Sequence, residues 1–156
     1  MENKLKFRSD CPISCALDIF GDKWSLLIIR DMIFFQKKTF KEFFSCQEKI
    51  ASNILSSRLK SLEKIGAISK NNISNNKKTK IYKLTDSGLK LIPLFLEITI
   101  WSTDNIQILK DQSQKVEMIA KLVTGLDNPF PSSMEDKRKY INNIEYKYLE
   151  SFKNIS

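Results

Sequence analysis

Apolar residues recur at helical spacing in some stretches and at alternating positions in others, and the changes of spacing divide the chain into elements. Ile13, Leu17 and Phe20 follow Pro12, a residue favoured at the first position of a helix, and Gly21 closes that segment. Asp22 is placed to cap the next helix, in which Trp24, Leu27, Ile28, Asp31 and Met32 lead on to Phe35. Being apolar on most sides, this helix belongs in the middle of a core. Thr39-Phe40-Lys41-Glu42 has the capping-box pattern, and a short third helix, Phe40 to Cys46, follows it. Beyond Gln47 to Lys49, the residues Ile54, Leu55, Leu59, Leu62 and Ile65 form one apolar stripe, so Ser52, Asn53, Ser56, Ser57 and Lys60 face outward. Gly66 lies just past the last periodic residue and terminates the helix.

The period then changes to two. Ala67 to Asn72 and Lys80 to Leu84 read as strands of a hairpin, joined by Ser74-Asn75-Asn76-Lys77-Lys78, where asparagine tolerates the left-handed turn conformation. Thr85 offers a cap for a long helix from Asp86 to about Ile108, with Leu89, Ile92, Leu96 and Ile100 on one side and Phe95, Ile98 and Trp101 widening the face. Pro93 should kink it. After Asp111, Val116, Ile119, Ala120 and Val123 resume the helical pattern, Gly125 and Asn128-Pro-Phe-Pro131 break it, and Ser132 to Glu135 starts another capping box. A last helix carries Tyr140 or Ile141, Ile144, Tyr148 and Phe152. Trp24, Phe40, Phe43 and Trp101 are assigned to packing.

Four helices, a hairpin and a long helix make a winged helix-turn-helix: an α+β class, mainly α, with a two-stranded wing and extra C-terminal helices for dimerisation. Residues 1–10 read as an N-terminal arm, 11–103 as the winged domain with the start of a dimerisation helix, and 104–156 as a helical extension. A Ser/Asn/Lys helix face is by itself often only a solvated surface, so it needs support from elsewhere in the sequence.

Charge supplies that support through its distribution. The net charge of +8 is weak evidence alone, because a chain rich in Lys, Asn and Ile can arise from AT-rich coding sequence. From Gln36 to Lys83, however, 12 Lys and Arg face 3 acidic residues, while the rest of the chain holds 14 against 15. All the excess positive charge sits in one central third, the footprint of a surface that meets phosphates. Short Ser and Asn side chains let a helix approach base edges in the major groove, which makes Ser52, Asn53, Ser56 and Ser57 candidate readers. Lys37, Lys38, Lys41 and Lys60, with Arg58 at the edge, would hold phosphates, and Lys77, Lys78 and Lys80 could follow the adjacent groove. Ala51 is a poor cap, so the helix could also begin one residue later with Ser52 as its cap.

Other classes lose ground. The absence of histidine removes the commonest general base and zinc ligand, and no constellation favours an enzyme. Three cysteines, Cys11, Cys15 and Cys46, are an odd number and point to reduced thiols, not a disulfide framework. A three-thiolate metal site would need Cys46 beside the other two, which sequence does not place. Lys4, Lys6 and Arg8 precede no apolar run, so the start does not read as a secretory signal. Leu89 to Trp101, broken by Lys90, Pro93 and Glu97, is shorter than the roughly 20 residues a membrane helix needs. A cytoplasmic protein is expected.

The chain resembles the HxlR family of bacterial winged-helix regulators. The matching pieces are Cys11-Pro12, Gly21-Asp-Lys-Trp-Ser-Leu-Leu-Ile-Ile-Arg30, Thr39-Phe-Lys-Glu-Phe43, Leu59-Lys-Ser-Leu-Glu-Lys-Ile-Gly66 and Tyr82-Lys-Leu-Thr-Asp-Ser-Gly88, with Pro93 and Trp101 at the family spacing. The resemblance implies a homodimer, paired through the first and the long helices, that controls nearby genes from operator DNA, with repression favoured over activation, and it implies no cofactor. It also implies backbone contacts from Lys23 and from the start of the third helix near Thr39. Some members sense oxidants through a cysteine near the position of Cys11, which lies at a helix start close to Arg8, where a thiolate is favoured; the competing and preferred reading makes Cys11 a structural cysteine, with Cys15 and Cys46 in the core. The small-molecule or oxidant effector is left unspecified. The family often has a glycine before the third helix, where this chain has Gln36 nearby, and the chain runs some fifty residues past the family core. The rival reading is a winged-helix module whose polar helix meets an acidic protein partner.

Overall fold

The computed structural model describes residues 6–73, 76–112 and 133–153, with single positions 114, 117 and 121, and the side chains of residues 73–78 are outside the description. The expected apolar positions Val116, Ile119, Ala120 and Val123 and the break at Gly125 to Pro131 lie outside the described residues. The elements run α1 (Pro12–Phe20), α2 (Lys23–Phe35), α3 (Phe40–Phe44), α4 (Ser52–Lys64), β1 (Ile68–Ile73), β2 (Asn76–Leu84), α5 (Asp86–Leu89), α6 (Ile92–Asn105) and α7 (Gln107–Asp111). The last described helix, here α8, is Met134–Glu150. This is the winged helix-turn-helix arrangement.

Local chemistry accounts for the boundaries. The Asp22 carboxylate accepts from the Trp24 and Ser25 amides and starts α2. Thr39 and Glu42 form the reciprocal capping box of α3. Ser133 caps α8 through the Asp136 amide, one residue later than the box expected at Ser132. Gly66 leaves α4 with φ +76, a conformation without steric penalty only for glycine. The hairpin strands pair antiparallel, Ile68 opposite Leu84 and Lys70 opposite Tyr82, with an irregularity at Asn72/Ile73. β2 begins at Asn76, four residues before the expected start.

The long helix expected from Asp86 to Ile108 is three pieces. Proline has no amide to donate, and its ring collides with the carbonyl four residues back, so the chain stops at Leu89 and restarts with Pro93 in the first turn of α6. Pro93 therefore begins a helix instead of kinking one. Gly88 is packed so closely that an added Cβ would lie 2.1 Å from the Ala67 carbonyl oxygen.

The core gathers around α2, whose Ile28, Ile29, Met32 and Ile33 are buried. Leu55, Leu59 and Leu62 of α4, Ile68, Tyr82 and Leu84 of the wing, and Ile92, Phe95 and Leu96 of α6 close around them. Tyr140, Ile144 and Tyr148 of α8 join the same cluster. Phe43 is buried as expected, and Trp24 and Phe40 pack half-buried against the cluster. Trp101 is not core: it is 62% exposed, with Ile13 at 72% and Leu17 at 55%, and none of the described elements covers these three side chains. Burial pushes the Tyr140 phenol up to about 12.

Two predictions concern stability. Gln36 ends α2 in the left-handed region, φ +53, where a Cβ is penalised. Gln36→Gly is expected to stabilise the chain by up to about 1 kcal/mol, raising the melting temperature by roughly 2–4 °C. Burial opposes ionisation of Glu42, but the Lys38 and Thr39 amides and the Thr39 hydroxyl outweigh it and hold the carboxyl below its usual range. Its stabilising contribution is thus present above the unfolded-state value, near about 4.3, and lost as pH falls through the lower folded value. Urea midpoints against pH should show Glu42→Gln less stable than the parent at pH 7 and equal to it at the acid end. Thr39→Ala should cost about 1 kcal/mol at pH 7.

Candidate nucleic-acid interface

Helix α4 is anchored by its apolar stripe and presents the opposite face to solvent. Ser52, Asn53, Ser57 and Lys60 are exposed, and Ser56 is half-buried at the edge of that face. Ser61 turns its hydroxyl back to the Ser57 carbonyl at 3.1 Å. The N-cap is Ala51, which supplies no side-chain acceptor, and Ser52 is the first helical residue, so Ser52 does not act as the cap.

Ion pairs hold α4 from outside its own ends. Asp31 on α2 is 2% exposed and receives Arg30 at 2.6 Å and Lys37 at 2.6 Å. Arg30 also reaches Glu48, 2.6 Å away, in the turn that precedes α4. That hydrogen bond keeps the Glu48 carboxyl below its usual range despite partial burial. Arg58 on α4 lies 3.1 Å from Asp22 at the start of α2. Burial alone would raise the Asp22 carboxyl, but the Ser25 hydroxyl and amide, the Trp24 amide and the Arg58 charge hold it down.

The structure sorts the candidate cations into two groups. Lys41 and Lys60 are exposed, and Lys23 is exposed with its ammonium 4.8 Å from the Trp24 ring centre. Lys37 is committed to Asp31, and Arg58 to Asp22. Lys38 donates to the Ser151 carbonyl, with its ammonium 4.5 Å from the Phe152 ring centre, and burial lowers its pKa. Thr39 is engaged in its capping box, and Lys80 bonds the Asn72 side chain. The side chains of Lys77 and Lys78 lie outside the described residues. The exposed Lys64 on α4 and Lys70 on β1 escaped the reading of the sequence, although both fall within the basic third. The Arg30–Asp31–Lys37 cluster escaped it too, since adjacent charges on an apolar helix carry no sign that the acid is buried.

Cys11 is exposed at the N-cap of α1. Arg8 does not pair with it, being bound to Asp18 through both its side chain and its amide. Cys15 points back to the Ser9 carbonyl, and Cys46 is packed against the core. Among the described residues, no group of three or more Cys, Asp or Glu side chains is placed to hold a metal ion, and no helix is long and apolar enough to cross a membrane.

This geometry has close parallels. The chain is 32% identical over 111 residues to the uncharacterized HTH-type transcriptional regulator YdeP of Bacillus subtilis, a match covering 71% of this chain and 83% of YdeP. Its fold superimposes on the crystal structure of PA1607, a putative transcription factor, with a TM-score of 0.58, 35% identity and coverage of 64% and 68% of the two chains. The reduced form of the B. subtilis transcriptional regulator YodB gives a TM-score of 0.52 and 26% identity, over 64% of this chain and 97% of YodB. The family model for the HxlR-like helix-turn-helix matches residues 19–110, which include α2 through α6 and the interface just described. On these grounds the chain belongs to the HxlR-like helix-turn-helix family.

Proposed function

We propose that this chain is a transcriptional regulator that binds operator DNA as a homodimer, with α4 in the major groove, and that it represses the genes it controls. The observation that carries this reading is α4 itself, a helix whose apolar stripe is buried while Ser52, Asn53, Ser57 and Lys60 stand exposed together. Donors and acceptors of that size match base edges, and Lys23, Lys41 and Lys60 supply cations for the phosphates. The regulators similar in sequence and fold support it. A homodimer is supported by the uncovered apolar residues Ile13 and Leu17 on α1 and Leu94, Ile98 and Trp101 on α6, because lone monomers rarely leave so much apolar surface open. These residues suit a second copy of the same chain.

DNA binding is tested with duplexes from the region upstream of the chain's own gene. Affinity for the preferred duplex should fall with salt at a log–log slope of roughly 0.9 per phosphate neutralised, with half-sites roughly 34 Å apart. Asn53→Ala with Ser57→Ala should cost roughly 1–3 kcal/mol on that duplex and leave most nonspecific binding intact. Absence of any sequence preference in the parent would turn the reading toward a protein-contact module. In sedimentation, the parent should run at twice the 18.1 kDa chain mass, and Leu17→Glu with Trp101→Glu at the single mass. A monomeric parent would sink the dimer.

A further inference from the structure

The last turn of α8 is seated on the root of the wing, beyond the part of the chain that the family model matches. A two-stranded hairpin is marginal by itself and takes its orientation from what it packs against. Here the outer edge of β2 is met residue by residue. The Tyr82 amide donates to the Lys38 carbonyl at 2.7 Å, in the loop before α3. The Leu84 amide donates to the Tyr148 hydroxyl at 2.6 Å, and Tyr148 is fully buried. Between them, the Lys83 ammonium lies 5.2 Å from the centre of the Phe152 ring.

Lys38 closes the arrangement from the other side. Its carbonyl serves β2, while its ammonium bonds the Ser151 carbonyl and sits on the same Phe152 ring. The final carbonyls of a helix lack intrahelical partners and carry the negative end of its dipole, so a lysine is the matching partner there. The Tyr148 and Phe152 rings meet edge to face at 5.2 Å, which ties the hydroxyl that holds Leu84 to the ring that holds the two lysines.

We propose that the C-terminal turn of α8 is a clamp for the wing, with Tyr148 and Phe152 as positioning residues that fix how the hairpin meets DNA. This rests on the DNA-binding reading above. The clamp commits Lys38 to the end of α8 and seats Lys83 beside the same ring, using their charge to set the wing's angle, while Lys70 stays exposed on β1 with its ammonium 6.0 Å from the Tyr82 ring centre.

The test uses the full chain with Tyr148→Phe and Phe152→Leu, each with and without the wing pair Lys70→Ala/Lys80→Ala, on the upstream duplex and on an unrelated duplex of equal length. Each clamp variant is expected to bind the upstream duplex about tenfold more weakly and to lower the salt slope by about one to two. In the Phe152→Leu background the wing pair should cost less than half its cost in the parent, since a displaced wing has fewer contacts to lose. Unchanged affinity and slope in folded variants, or full additivity, would overturn the clamp. Should Tyr148→Phe fail to fold, Phe152→Leu decides alone. Amide exchange separates this idea from the functional reading beneath it: Tyr148→Phe should speed exchange at Leu84 at least tenfold and leave α2 protected, whether or not the parent binds DNA. Equal Leu84 protection in both proteins would refute the contact outright.

Discussion

One buried carboxylate fixes both faces of the candidate interface. Asp31 lies buried on α2, the helix around which the core gathers, and a buried charge persists only when it is paired. Satisfying it pins Arg30 and Lys37, one on each side. Arg30 then reaches Glu48 and thereby locates the turn from which α4 departs. Lys37, held at the same carboxylate, places the following residue so that the Lys38 carbonyl meets β2 and Thr39 can start α3. Helix α4 and the wing therefore share one reference point within α2.

The basic third of the chain has two kinds of cation, and net charge cannot tell them apart. Lys37, Lys38, Arg58 and Lys83 hold elements together through carboxylates, a helix terminus or an aromatic ring. Lys23, just outside that third, and Lys41, Lys60, Lys64 and Lys70 within it remain exposed to solvent. Proteins that meet DNA need both, because a positively charged surface repels itself unless the scaffold beneath it is fastened.

Short-range chemistry was legible in the sequence. Capping by Asp22 and Thr39, the left-handed exit at Gly66 and the inward stripe of α4 each depend on neighbours within a few residues, and each stands where the pattern put it. Spacing that continues across Pro93 suggests a bend there, while the missing amide and the ring's bulk stop the helix outright. Spacing assigns Trp101 to the core because periodicity shows that a face is apolar and not what covers it. The commitments of Lys37 and Lys38 were invisible for a different reason: a lysine's partner is chosen by the fold, not by its neighbours in sequence.

The bond from the Leu84 amide to Tyr148 spans 64 residues, and that from Lys38 to Ser151 spans 113. A chain made from its N-terminus exposes the wing long before α8 exists, so the hairpin first forms with its outer edge only partly paired. Contacts of such sequence separation close late and slowly. The bonds at the wing's outer edge consequently wait for α8, and proteolysis ahead of Tyr148 would remove both of them together with a fully buried ring of the core.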